Sequence, residues 1–380
     1  MRKGRKRAPN SAMLAATTRL THPALTWRRN ALELWGERGI DSRGLFYEQL
    51  DFNGRGDADS RRRMRVQARQ LYVFARAESR GEAGAAEVVD RGFPAFQRFC
   101  AHQEAGWIHL LEADGSPADI LRDTYDHAFV LFALAALART ASHGAQARAL
   151  AQSTLGWLDE VLAHEAGGFH EGHPASLPRR SNPHMHLLEA MLAWYRVEGD
   201  RQFLDRANII GGLFEKHFFD PAHDTLGEHF NDDWSVVAPP LGDSVEPGHH
   251  FEWCWLLVRL AEAGGADYRE QAARLYRFAL AHGLDAHGFA VDEIDRDGRP
   301  RRMSRRLWPQ TELIKAHVAM GERDAAETSF RALADTYLAT ATPGLWIDQF
   351  DAAGHGVSPV VPASTLYHID VAIDELTAGR

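Results

Sequence analysis

The chain has 380 residues, 45% of them hydrophobic and 25% charged, with a formal net charge of −9 from 43 basic and 52 acidic side chains. This composition can bury a large core and excludes collagen-like, low-complexity and disulfide-framework proteins, while the acidic balance argues against a nucleic-acid partner. Two scattered cysteines, Cys100 and Cys254, do not make a CxxC metal site and point to a reducing, cytoplasmic setting, and no apolar run reaches membrane-spanning length.

Residues 1–20 open with Arg2, Lys3, Arg5, Lys6 and Arg7 and lack the apolar segment of a signal peptide. They are expected to be a disordered basic extension, followed by a single domain over 21–380. From there the apolar periodicity predicts twelve helices in six pairs: 23–39 and 60–80, 85–104 and 118–141, 145–164 and 183–199, 201–217 and 249–265, 267–283 and 305–321, 322–339 and 364–378. The first helix of a pair tends to be amphipathic. The second tends to be apolar on most faces, as in Ala128-Phe129-Val130-Leu131-Phe132-Ala133, which is the pattern of a buried helix.

Each pair is joined by a long connection that carries a glycine beside an aromatic or apolar residue. These are Gly44-Leu45-Phe46, Gly106-Trp107, Gly168-Phe169, Gly227 to Phe230, Gly288-Phe289 and Gly344-Leu345-Trp346, at successive separations of 62, 62, 59, 61 and 56 residues. That is a six-fold internal repeat. Six outer and six inner helices in alternation make an all-α, (α/α)6 barrel, with a small hairpin expected in each long connection. A solenoid is the alternative, and the buried second helices favour closure.

In this topology polar residues early in the inner helices converge on one mouth. In chain order they are Arg69; Tyr125, Asp126 and His127; Asn182, His184 and His186; His249, His250, Glu252 and Trp253; Trp308 and Glu312; Tyr367 and His368. Several have an ordinary reading as well. Asn182 before Pro183 is a good N-cap, His127 and His250 suit hydrogen-bonded core positions, Arg69 suits a buried ion pair, and Trp308 suits a core.

The chain contains only four lysines, Lys3, Lys6, Lys216 and Lys315, so Schiff-base chemistry has two candidates outside the tail. Its 20 histidines make imidazole the available acid–base group. Proton transfer beside a sugar carbonyl needs a base, a second acid–base group and donors for an enediolate. His249 and His368 are expected to face each other across the mouth with His186 between them. Arg69 would hold the oxyanion, Glu252 and Glu312 would bind hydroxyls or tune the imidazoles, and Trp308, Trp253 and Tyr125 would offer flat faces to a pyranose. Glycoside hydrolysis could draw two carboxylates from Asp126, Glu252 and Glu312, but leaves the histidines without a task. A metal on His184, His186, His249 and His250 is disfavoured because His-x-His on a helix points the rings apart. A non-catalytic sugar-binding barrel is the remaining class.

The motifs Ala68-Arg69-Gln70, Asn182-x-x-x-His186, Pro247-Gly248-His249-x-x-Glu252-Trp253, Trp308-Pro309-x-x-Glu312 and Tyr367-His368 together resemble the N-acylglucosamine 2-epimerase family of sugar 2-epimerases and aldose–ketose isomerases. The resemblance implies the same barrel and an enediol mechanism with no metal or other cofactor. It implies His249 and His368 as the acid–base pair, with Arg69, Asn182, His186, Glu252, Trp308 and Glu312 lining the sugar site. Some isomerases of the family carry an arginine in the loop before Pro-Gly-His, whereas residues 232–248 here contain no Arg or Lys but do contain Asp243 and Glu246. A neutral sugar is therefore expected, with D-mannose and D-fructose as the leading pair. N-acylglucosamine or cellobiose 2-epimerisation is the alternative, as is mannose-6-phosphate isomerisation with Arg301, Arg302, Arg305 and Arg306 as phosphate ligands. The expected partner is a small sugar, with no nucleic acid or membrane, and a homodimer is allowed for.

Overall fold

A computed structural model describes residues 22–378, so the basic extension over 1–20 lies outside the described residues. The helices are α1 (Pro23–Arg38), α2 (Met64–Ser79), α3 (Ala85–Cys100), α4 (Thr124–Leu137), α5 (Gly144–Trp157), α6 (Ser181–Glu198), α7 (Arg201–Leu213), α8 (Pro247–Glu262), α9 (Arg269–His282), α10 (Leu307–Ala319), α11 (Arg323–Thr336) and α12 (Leu366–Thr377). Among the described residues no helix is long and apolar enough to cross a membrane.

The even-numbered helices form an inner ring in which each packs on the next, and α12 returns to α2. The ring closes, so the solenoid is set aside. Burial follows the apolar pattern. Outer α1 buries a single stripe, Ala24, Arg28, Ala31, Leu32 and Trp35, whereas inner α4 is buried at every position except Tyr125. Two outer helices continue as π-helical turns, Leu158–Leu162 and Phe214–Phe218, which accounts for the longer extents expected there.

The long connections do more than form local hairpins. Hairpins with paired strands occur inside three of them, as at Leu110–Leu111 with Pro117–Asp119, and isolated antiparallel bridges close a turn in all six, as Ile40 with Phe46 and Ala163 with Phe169. In addition, short antiparallel pairs join each connection to its neighbour. Arg62–Arg63 pairs with Leu110–Leu111, Arg122–Asp123 with Gly172–His173, Arg179–Arg180 with His229–Phe230, and Ser244–Val245 with Glu293–Asp295. Arg305–Arg306 then pairs with Gln349–Phe350, and Val361–Pro362 returns to Gln49–Leu50. A ring of strand pairs therefore encircles the mouth. It also explains why α2 and α4 start later than periodicity suggests. Residues 62–63, 117–119 and 122–123 take part in strand pairing, and Asp123 then caps α4 by accepting from the Asp126 N–H at 3.0 Å.

Candidate active site

Five of the six inner helices, α2 to α10, are each fastened to their connection by one polar side chain in the first turns. Gln67 accepts the Phe46 N–H at 2.7 Å, His127 the Trp107 N–H at 3.1 Å, and His184 the Phe169 N–H at 3.0 Å. His250 accepts the Leu226 N–H at 3.1 Å and Gln310 the Ala290 N–H at 2.8 Å. These latches account for the glycine in two of the connections, Gly106 and Gly168. Gly168 has φ +70°, and a Cβ there would lie 2.6 Å from Nε2 of His184. Three of the abundant histidines thus have structural tasks. Two residues further along lie Arg69, Phe129, His186, Glu252 and Glu312, on a different face of each helix.

His249 sits in the first turn of α8. Its Nδ1 meets the Glu228 carboxylate at 3.0 and 3.1 Å, and its Nε2 lies 3.2 Å from the side-chain amide of Asn182. Burial opposes charge on this ring, but Glu228 and Glu246 outweigh it and hold the imidazole up at about 9. The neutral ring accepts from Asn182 Nδ2. The protonated ring donates, and turning the amide over presents Oδ1, which is buried without another partner.

His368, on α12, has a different environment. Its Nδ1 is 2.8 Å from Oε1 of Glu312, whose Oε2 lies 2.5 Å from Nζ of Lys315. Burial, then Arg69 and Lys315, push the His368 imidazole well below the usual value. An Nδ1–H donated to Glu312 leaves the lone pair on Nε2. Trp308 contacts both histidines, with ring centroids 5.1 Å from His249 and 5.6 Å from His368.

His186 lies close enough to both histidines for their charges to interact. It hydrogen-bonds Glu189 through Nδ1 at 3.1 Å and packs on Tyr125 and Phe129, with Glu252 at 3.8 Å. Arg69 lies over the Phe129 and Tyr367 rings, donates to the Tyr125 hydroxyl at 2.7 Å and reaches the Ser364 carbonyl at 3.3 Å. It is bound by a phenol and a carbonyl rather than by the carboxylate that the ion-pair reading requires.

The nine expected site residues thus fall into linked groups, with His249, Asn182, Trp308, His368 and Glu312 in one chain of contacts and Arg69, Tyr125, His186 and Glu252 in another. Two expectations are corrected. Trp253 is fully buried and stacks on Phe214 at 4.9 Å, so it belongs to the core. Asn182 is inside the first turn of α6, whose cap is Arg180, and its amide serves His249 instead. Asp126 is held by Arg65 and His109, each at 2.6 Å.

Glu228, Glu246 and Lys315 were not among the expected site residues. A register of the repeat locates the first of them. The carbonyls of Glu48, His109, Glu171, Glu228 and Asp348 each take the N–H that opens an inner helix or, for Ala363, the 3-10 turn before α12. Glu228 is therefore one of a series of polar residues at corresponding points of the ring.

Glu189, Glu252 and Glu312 converge on Lys315, and burial pushes all three carboxyls up. Two donor sets with metal-like spacing overlap here, His186–Glu189–Glu252 and Glu252–Glu312–His368. The Lys315 ammonium already supplies positive charge among them, held protonated against burial by Glu312, Glu252 and Glu189. A third set, His164, His170 and Asp232, belongs to the loops.

Residues 44–372 match the family model described as N-acylglucosamine 2-epimerase. A protein of Rhizobium meliloti named mannose-6-phosphate isomerase is 38% identical over 91% of this chain and 93% of its own length. The D-mannose isomerase of Thermobifida fusca is 31% identical over 75% of this chain and 76% of its own. A crystal structure of D-mannose isomerase superposes with a TM-score of 0.84 at 19% identity, covering 93% of this chain and 96% of that one, which shows the shared barrel.

Proposed function

Because this chain belongs to the N-acylglucosamine 2-epimerase family, we propose that it interconverts D-mannose and D-fructose through a cis-enediol, by histidine acid–base catalysis and without a metal. The observation that carries the reading is the opposite setting of two histidines in contact with one tryptophan. His249 is held protonated by Glu228 and Glu246, and His368 is held neutral beside an ion-paired Glu312.

In this reading Nε2 of His368 takes the proton from C2 of open-chain mannose while His249 gives a proton to O1. The Arg69 guanidinium stabilises the enediolate. His249 then takes the proton from O2, and His368 returns its proton to C1. Both histidines end as they began, which balances the reaction without an external acid. Hydrolysis is less well supported, since Glu312 is committed to Lys315 and Asp126 to Arg65.

A neutral sugar is favoured by what occupies the arginines of residues 301–306. Arg301 and Arg302 pair with Glu293, Arg305 with Asp285, and Arg306 with Glu246 at 2.7 Å and Asp292 at 2.9 Å. A phosphate there would compete with carboxylates already in place. The relative named for mannose 6-phosphate argues the other way, so a substrate comparison decides. After dialysis against EDTA, kcat/KM for D-mannose is expected to be unchanged and to exceed that for mannose 6-phosphate by more than about tenfold. The reverse preference overturns the neutral-sugar reading, and loss of activity restored by a divalent ion overturns the metal-free one. The two buried free thiols suit a reducing compartment, and the cytoplasm is where we place the reaction.

The histidine settings also fix a pH profile. Activity needs His249 protonated and His368 neutral, so kcat/KM is expected to be level through neutrality and to fall as pH rises through about 9. Glu228→Gln removes the nearest negative charge from His249, and the alkaline limb is expected to move down by about 1–2 pH units. An unmoved limb would separate Glu228 from the acid.

A further inference from the structure

The barrel has a cavity at the end opposite the mouth, where the inner helices finish. It measures about 490 Å³ and is walled by α2, α4, α6, α8 and α12. This is within the size range of small-molecule sites. Much of its wall is apolar, with Tyr72 and Phe132 stacked on each other at 3.9 Å. Four side-chain atoms of its lining residues are buried without partners, Nε of Arg80 and of Arg259, Nε1 of Trp255 and Oε1 of Glu189. Unsatisfied buried groups of this kind call for a ligand or water.

Five arginines line the cavity, and three are committed. Arg76 pairs with Asp374, Arg80 with Asp370 at 2.9 Å and Arg259 with Glu375 at 2.8 Å. Arg139 and Arg196, at the ends of the adjacent helices α4 and α6, are exposed and have no side-chain hydrogen bond or ion pair among the described residues. With the wall acids Asp374 and Glu375 taken by arginines, two guanidinium groups are left to recognise a doubly charged oxyanion.

We propose that this cavity is a second ligand site for a phosphorylated hexose, its phosphate bound by Arg139 and Arg196 and its ring lying against Trp255 with a hydroxyl on Glu189. The aromatic wall suits the apolar face of a pyranose, and a small turn of Trp255 or Glu189 would bring the unpartnered indole N–H or carboxyl oxygen, both closed off by neighbouring side chains, to its hydroxyls. The site also touches the catalytic end through packed groups. The Trp255 ring lies 3.8 Å from Nζ of Lys315, which holds Glu312, which holds His368. Through Glu189 it reaches His186 as well. Occupancy therefore alters turnover at the mouth, and by linkage substrate at the mouth alters binding here.

The test uses the full chain and 1,5-anhydro-D-mannitol 6-phosphate, which has no carbonyl carbon and cannot be isomerised. Calorimetry is expected to show one molecule bound per chain. Arg139→Ala/Arg196→Ala is expected to weaken binding on the order of 100-fold and to leave isomerisation without the probe within about twofold. Leu192→Trp, which fills the cavity from α6, is expected to block the probe independently. Failure to bind, equal binding by the double-arginine variant, or simple competition between the probe and D-mannose would each overturn the proposal. Inorganic phosphate binding as tightly as the probe would overturn the hexose part. The calorimetric result does not depend on the reaction, so a chain inactive on mannose leaves this site as testable as before.

Discussion

His368→Ala is expected to lower kcat for D-mannose by about 10,000-fold, the upper end of the range for loss of a general base, with the far-ultraviolet dichroism of the wild type retained. The size follows from the surroundings. Glu312 is the carboxylate beside the ring, and it is bound to Lys315 and buried, so it is poorly placed to take over as base. His249 is held protonated by its own acids and cannot accept the first proton. His249→Ala is expected to cost less, about 100- to 1,000-fold, because Arg69 still stabilises the enediolate without it. Activity near wild type in both variants would remove the histidine pair from the mechanism.

Lys315→Met is expected to destabilise the fold by about 3–5 kcal/mol, the usual cost of removing one partner from a buried ion pair, as read by urea denaturation. Lys315 is completely buried, and its ammonium is the nearest positive charge to Glu312 and is also felt by Glu252 and Glu189. Without it these groups must take up protons or remain charged in the core, and both are costly. Glu312→Gln/Lys315→Met removes the stranded charge and is expected to recover most of the loss in stability while remaining slow, since an amide no longer supplies the charged partner of His368. Equal stability of Lys315→Met and wild type would show that the cluster is neutral in the folded state.

These expectations rest on features that were unequally legible in the sequence. The helices were plain because burial of α4 or α8 leaves an apolar run that no amphipathic pattern imitates, and the sixty-residue recurrence of glycine with an aromatic marked the connections. The mouth followed from topology, since Arg69, His186, Glu252 and Glu312 occupy matching turns of successive inner helices. The ring of strand pairs was not legible. Its strands are two or three residues long and pair across more than forty positions of sequence, beyond the reach of local periodicity. Glu228 and Lys315 were missed for a similar reason. Each acts on a histidine from another segment, so their importance lies in contacts that only the closed barrel makes. Trp253 misled because the residue beside a site-facing Glu252 points to a different side of the helix.

The most direct measurement is proton NMR of the purified protein with D-mannose in D₂O, after dialysis against EDTA. Growth of fructose, with deuterium entering at C1 of fructose or C2 of mannose or with direct proton transfer between those carbons, is the predicted result. Glucose deuterated at C2 as the sole product would make the same residues an epimerase site and contradict the isomerase account. No new sugar and no exchange at C2 would contradict the assignment of mannose as substrate.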